Sequence, residues 1–199
     1  MRPDKTIARF ATGEPATIVA LGDSLTRGWM VRKGYLEFMD EMLRAKYPSA
    51  NFSIINQGIP GDTSDGGLER LGDDVIDHDP HCVFLQFALN DAFIGINPSV
   101  YKNTMRAMID TLRADTDAEI ILITSVYIQN SRENDMAERF YDRLAELADE
   151  CSLPIARVHD YWKKMIREGA DFRKLVQYDG VHPTVEGYRL MAEAIMEIF

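Results

Sequence analysis

Apolar residues are spaced along this chain in two alternating patterns. Short unbroken apolar runs mark buried strands. Between them lie stretches in which apolar positions return every three or four residues, as on one face of a helix. Residues 18–21 form the first run, which stops at Gly22, with Ser24 following where the chain must turn. Tyr35, Phe38, Met39, Met42, Leu43 and Tyr47 then share a helical face, ended by Pro48 and Ser49. Residues 52–55 predict a second strand, leading into a loop over 56–64 that carries Gly58, Pro60 and Gly61. A short helix is predicted over 65–76, and Asp79 and Pro80 close that connection. Residues 82–87 predict the third strand, ending at Ala88, Leu89, Asn90 and Asp91. Tyr101, Met105, Met108, Ile109 and Leu112 mark the next helix. Residues 120–126 are the most β-prone run in the chain. A long helix turns Met136, Phe140, Leu144, Leu147, Ala148 and Cys151 inward, before a short strand over 155–158 and a short helix over 161–168. The run 179–184 introduces a last helix with Tyr188, Met191, Ile195 and Ile198 inward.

Strands and helices thus alternate five times, and the strands are continuously apolar rather than alternating. That pattern predicts an α/β fold, a three-layer αβα sandwich whose parallel sheet is covered on both faces. Right-handed crossovers favour the flavodoxin-like order 2-1-3-4-5, with 3-2-1-4-5 as the competing order. No internal repeat or linker interrupts the chain, so residues 1–199 are expected to form one domain.

Composition narrows the class of partner. The net charge is −10, with 46% hydrophobic and 27% charged residues, which describes an ordinary globular protein and disfavours nucleic acid or an anionic membrane surface. No apolar run approaches the roughly 18 residues of a membrane helix, and the first fifteen residues do not resemble a secretory signal. Cys82 and Cys151 sit in strand-like and helix-like runs as small buried hydrophobes, without metal or redox spacing. A cytoplasmic protein is the expectation.

The candidate chemistry gathers at the carboxyl ends of the strands, where open α/β sheets bind ligands. In the order 2-1-3-4-5 the loops after strands two, one and three are neighbours, and they carry Gly58, Ser24 and Asn90. A hydroxyl, a backbone N–H and a side-chain amide in one crevice are what acyl transfer through a tetrahedral intermediate requires. A serine needs a base, and among His78, His81, His159 and His182 the last stands out because Asp179 lies three residues earlier, where its carboxylate can orient the ring. Pro183 suits the first turn of the helix that follows. The alternative reading of this stretch is a polar helix cap. Asp77, His78, Asp79 and His81 read as a solvated loop at the opposite edge, and His159 and Asp160 as structural. Asp23 and Asp91 are expected to hold their turns together by hydrogen bonds.

Gly22, Asp23, Ser24 and Leu25 spell GDSL, and with Gly58, Asn90–Asp91 and Asp179-x-x-His182 four blocks stand in order over residues 22–184. The chain resembles the SGNH hydrolases of the GDSL lipase/acylhydrolase group. The resemblance implies Ser24 as nucleophile, His182 as general base and acid, and Asp179 as the carboxylate that orients it. It also implies an oxyanion hole from the Ser24 N–H, the Gly58 N–H and the Asn90 side chain. One departure stands out: the third block usually begins with glycine, and Ala88 occupies that position. The α/β-hydrolase signature G-x-S-x-G is missing.

The expected activity is that of a serine esterase needing no metal or cofactor and acting through an acyl-enzyme. Its short connections lead us to expect small soluble esters or acetylated sugars as substrates. Trp29, Tyr35, Phe93, Ile94 and Tyr127 are candidates for the pocket walls, although Tyr35 also fits the core face of its helix. Two rivals are a flavin mononucleotide-binding protein, with Ser24 and Thr26 at the phosphate, and a catalytically silent module keeping the fold.

Overall fold

The computed structural model of the chain describes residues 1–199. Five strands run parallel: β1 (Ala16–Gly22), β2 (Phe52–Gly58), β3 (Cys82–Gln86), β4 (Glu119–Ile123) and β5 (Ile155–Ala156). Their order is β2-β1-β3-β4-β5, the flavodoxin-like one, and the competing order is excluded. The central strand β1 pairs with β2 from Ala16↔Phe52 to Gly22↔Gly58, and with β3 from Ile18↔Cys82 to Gly22↔Gln86. Three strand ends therefore stand level, side by side, and the turns that follow them start from one line.

The helices are α1 (Asp4–Thr12), α2 (Ser24–Arg27), α3 (Tyr35–Lys46), α4 (Ser64–Glu69), α5 (Leu71–Asp74), α6 (Leu89–Phe93), α7 (Pro98–Asp115), α8 (Ser131–Cys151), α9 (Val158–Arg167), α10 (Phe172–Leu175) and α11 (Val185–Met196). α11 packs against α3 and α9, and α7 against α4 and α8, giving a helical layer on each face of the sheet. Their apolar faces and the strands form one cluster of 54 buried residues, so both layers share a core.

Two of four departures from the periodicity have clear physical causes. Strand β2 continues to Gly58 rather than stopping at residue 55, because its polar end still completes the ladder with β1. The predicted 65–76 helix is broken into α4, α5 and a 3₁₀ turn at Ile76–His78. Gly66, Gly67 and Gly72 lower helix propensity there. Arg70, between the two helices, is drawn out to Asp62, Asp74 and the carbonyls of Gln57 and Gly22. Strand β4 ends at Ile123, three residues early, and α9 begins already at Val158.

Two strand-end glycines have no room for a side chain. A Cβ on Gly22 would overlap Thr26 Oγ1 and stand 2.6 Å from the Gln86 carbonyl, and one on Gly58 would overlap the Arg27 backbone. We expect Gly22→Ala and Gly58→Ala each to lower the unfolding free energy by about 1–3 kcal/mol through overpacking. Gly72→Ala, with nothing within 4 Å, should not. Urea titrations of the three variants measure this.

Candidate active site

Ser24 is placed by the shortest route a strand can take into a helix. β1 ends at Gly22, Asp23 caps the next element by accepting the Leu25 N–H at 2.8 Å, and Ser24 is the first residue of α2. The helix lasts four residues before Gly28 stops it with φ +76°. Such a short element is held from outside. The Ser24 carbonyl accepts the Trp29 N–H (3.1 Å) and the Tyr188 hydroxyl (3.4 Å), which ties the turn to α11. Ser24 is 6% exposed, so only one side of it meets solvent.

The loop before α11 delivers the histidine. Val176 and Pro183 form a bridge, the Gln177 N–H donates to the His182 carbonyl at 2.7 Å, and Gly180 turns the chain with φ +74°. Asp179 Oδ1 accepts the N–H groups of Val181 and His182, both at 2.9 Å, which aims its other oxygen at the ring. His182 Nδ1–H donates 2.7 Å to Asp179 Oδ2, leaving Nε2 to accept from the Ser24 hydroxyl at 2.9 Å. Burial pushes the Asp179 carboxyl up, but hydrogen bonds from Val181 and His182 outweigh it and hold it below the usual range. A carboxylate so held stays ionised, as orienting an imidazole requires. Pro183 does not begin the helix: Thr184 caps α11 through the Gly187 N–H, so Asp179 is free of the capping role. Gln177 went unnoticed in the sequence. Its amide donates to the carbonyls of Trp29 and Pro183, both at 2.9 Å, joining the Ser24 loop to the His182 loop.

On the other side of Ser24, Asn90 lies in the first turn of α6. Its Nδ2 donates 2.7 Å to the Asp62 carbonyl, which spends one of its two N–H groups and leaves the other for a ligand. The Asp91 carboxylate accepts from the N–H and hydroxyl of Ser64, so the loop after β2 is tied to the turn after β3 twice.

Gly58 does not stand where the sequence put it. Because β2 runs on to Gly58, that residue is a ladder partner of Gly22, its N–H donates 3.0 Å to Asn56 Oδ1, and its α-carbon packs on Arg27. The glycine of the loop proper is Gly61, with φ +83° and an N–H that has no acceptor in the chain, adjacent to the Asp62 carbonyl that holds Asn90. Its signal in sequence was position: it lies beyond the strand, and Gly58 does not.

Ser24, Asn90, Asp179 and His182 line one cavity of about 160 Å³, with Leu25, Leu89, Phe93 and Val181 as its apolar walls. Of the predicted wall residues only Phe93 lines it; Trp29 stands beside His182, ring centroids 6.3 Å apart, and Ile94 lies exposed just past Phe93. Two predicted wall residues lie elsewhere. Tyr35 is fully buried beneath α2, with its hydroxyl 3.2 Å from Thr26 Oγ1. Tyr127 follows the early end of β4 and packs on His159 and Phe172. His159 is itself occupied, Nε2–H donating 3.0 Å to Asn134 Oδ1. His81 Nδ1 accepts the Thr17 N–H at the amino end of β1, the edge opposite Ser24. A larger depression of about 730 Å³ opens at that edge among Lys5, Arg9, Asp79 and Arg113. No nucleophile and base meet there, so chemistry rather than size identifies the site.

The chain matches the GDSL-like Lipase/Acylhydrolase family over residues 20–190 and belongs to it. Among its relatives, thioesterase 1/protease 1/lysophospholipase L1 of Escherichia coli is 28% identical over 186 residues, 92% of this chain and 83% of that protein. An arylesterase of Vibrio mimicus is 26% identical, with 90% and 86% covered, and an acetylxylan esterase of Geobacillus stearothermophilus 24%, with 92% and 94% covered. The crystal structure of that acetylxylan esterase shares the fold with a TM-score of 0.82 at 21% identity, covering 92% of this chain and 93% of the other. Nothing in these likenesses supports a flavin-binding protein or a silent module.

Ala88, standing where the family usually has glycine, has φ +154° and ψ −40° and is fully buried. A Cβ in that region is strained by about 1–3 kcal/mol, partly offset by the entropy of glycine in the unfolded chain. We expect Ala88→Gly to stabilise the protein by about 1 kcal/mol with kcat retained, as a thermal melt and a rate measurement on one sample will show.

Proposed function

We propose that this serine ester hydrolase works through Ser24, His182 and Asp179, with Asn90, the Ser24 N–H and the Gly61 N–H as its oxyanion hole. The observation that carries the reading is the unbroken run from the Ser24 hydroxyl through both ring nitrogens of His182 to Asp179, at 2.9 and 2.7 Å. Ser24 Oγ bonds to the ester carbonyl carbon while its proton passes to His182 Nε2, and the carbonyl π pair moves onto oxygen. The resulting oxyanion is met by fixed N–H donors, each contributing about 3–4 kcal/mol. Collapse breaks the bond to the alcohol oxygen, which takes the proton from Nε2. Water then attacks the acyl-serine, His182 accepts its proton, and the second collapse releases the acid and returns a proton to Ser24 Oγ.

The substrates we propose are esters of short acyl chains, acetylated sugars included. A cavity of about 160 Å³ is well below the roughly 300–1,000 Å³ of pockets that enclose drug-sized ligands. It accommodates an acetyl or butyryl group and leaves the alcohol outside, against the exposed faces of Trp29 and Phe93. The acetylxylan esterase and arylesterase relatives support this reading. We further propose that residues 1–199 act as one catalytic domain. Two buried, unpaired cysteines favour a reducing compartment, the cytoplasm. No helix is long and apolar enough to cross a membrane.

Hydrolysis of p-nitrophenyl acetate, butyrate and octanoate should decline with chain length. Ser24→Ala and His182→Ala should each lower kcat by roughly 10⁴–10⁶, and Asn90→Ala by about 10²–10³. A His182→Ala enzyme keeping more than about a tenth of the wild-type kcat would remove His182 as the base. Octanoate turned over faster than acetate would reject the short-chain proposal.

A further inference from the structure

We propose that Gln86 and the ionised carboxylate of Asp23 form a positioning pair that holds the nucleophile turn in register, so that protonating Asp23 loosens it. The inference rests on Ser24 being the nucleophile.

Gln86 is the last residue of β3, fully buried, and both ends of its amide are committed. Oε1 accepts from Thr26 Oγ1 at 2.8 Å, and Nε2 donates to Ser125 Oγ at 2.9 Å and, at 3.4 Å, to Asp23 Oδ2. Thr26 in turn accepts from the Tyr35 hydroxyl at 3.2 Å. One side chain thereby joins the residues before and after Ser24 and Leu25 to the end of the neighbouring strand. The amide cannot turn over, because its oxygen would then face a carboxylate.

Asp23 is fully buried and receives only N–H donors, from Leu25 and Gln86. No cation touches it. Arg70 reaches the Gly22 carbonyl beside it at 3.0 Å, but its charge is paired with Asp62 and Asp74. Around it, Asp62 and Asp91 in the flanking turns repel its charge. Tyr35, Tyr101, Tyr141 and Tyr188, on α3, α7, α8 and α11, are buried near enough for its charge to help raise their hydroxyls. His182 lines the same cavity. A protonated Asp23 with its O–H on Oδ2 opposes the Gln86 N–H, donor against donor, and the contact is lost. Burial, against the hydrogen bonds from Leu25 and Gln86, pushes the carboxyl up to about 7, so this protonation falls in a working range of pH.

The test is kcat and KM for p-nitrophenyl acetate from pH 5 to 9, with wild type, Gln86→Leu, Gln86→Glu and Ser24→Ala. Gln86→Leu should lower kcat at least tenfold with KM within about twofold, since positioning is lost and the cavity is not. Gln86→Glu sets a second carboxyl against Asp23 and should move the acid limb of kcat to higher pH by about one unit. Gln86→Leu with the wild-type kcat and pH profile overturns the proposal. Ser24→Ala as active as wild type overturns the nucleophile reading instead.

Melting wild type and Asp23→Asn across the same range gives a readout that needs no activity. The folded carboxyl binds its proton more tightly than the unfolded one, whose ordinary value is 3.8. Wild-type stability from this group is therefore fully present below about pH 4 and is lost as pH rises towards 7. The melting temperature of Asp23→Asn minus that of wild type should grow from pH 5 to pH 8. A difference flat in pH means that Asp23 does not titrate there, and overturns the proposal even if the Gln86 variants fail to fold.

Discussion

The chemistry depends on the lateral register of three strands. Gly22 sits between Gly58 and Gln86 at one level of the sheet, so the turns that follow start from fixed, adjacent points. From there Ser24, the Gly61–Asp62 loop and Asn90 converge with few residues of free chain between strand and function. A slip of one residue in any strand would reverse the direction of its last side chain and pull its turn away from the others. The glycines at the strand ends allow the close approach: the Gln86 carbonyl and the backbone of α2 occupy the space their side chains would need.

The histidine arrives by a different route. It sits on the loop before the last helix, held by its own local hydrogen bonds and by two long-range ties, Gln177 to the Trp29 carbonyl and Tyr188 to the Ser24 carbonyl. Ser24 and His182, 158 residues apart in sequence, are thus positioned by the same pair of cross-links. The site also divides its carboxylates by environment. Asp179, part exposed and supplied with N–H donors, is held ionised, whereas Asp23 and Asp91, behind the reacting groups, are raised mainly by burial.

Much of this was legible in the sequence for physical reasons. Continuous apolar strands alternating with amphipathic helices leave few arrangements other than a doubly covered parallel sheet, and that arrangement brings Ser24 and Asn90 together before any side chain is seen. Asp179 and His182 were readable because three residues suffice for a carboxylate to reach a ring. What escaped were features set by where strands end. The polar tail of β2 hid three further ladder residues, so Gly58 was taken for a loop glycine and Gly61 passed over. The early end of β4 carried Tyr127 away from the cavity. Gln86, Gln177 and Tyr188 act by contacts between distant elements, which no periodicity records. Gln86 left one trace, a polar residue inside an otherwise apolar run.

The central claim is that Ser24 forms the acyl-enzyme, activated by His182. Intact-mass analysis after treatment with a fluorophosphonate tests it most directly, followed by peptide mapping and repeated with His182→Ala. The account predicts one adduct per chain, on Ser24, formed at least a hundredfold more slowly without His182, the scale of general base catalysis. An adduct on another residue, or equal labelling rates for both proteins, would contradict it.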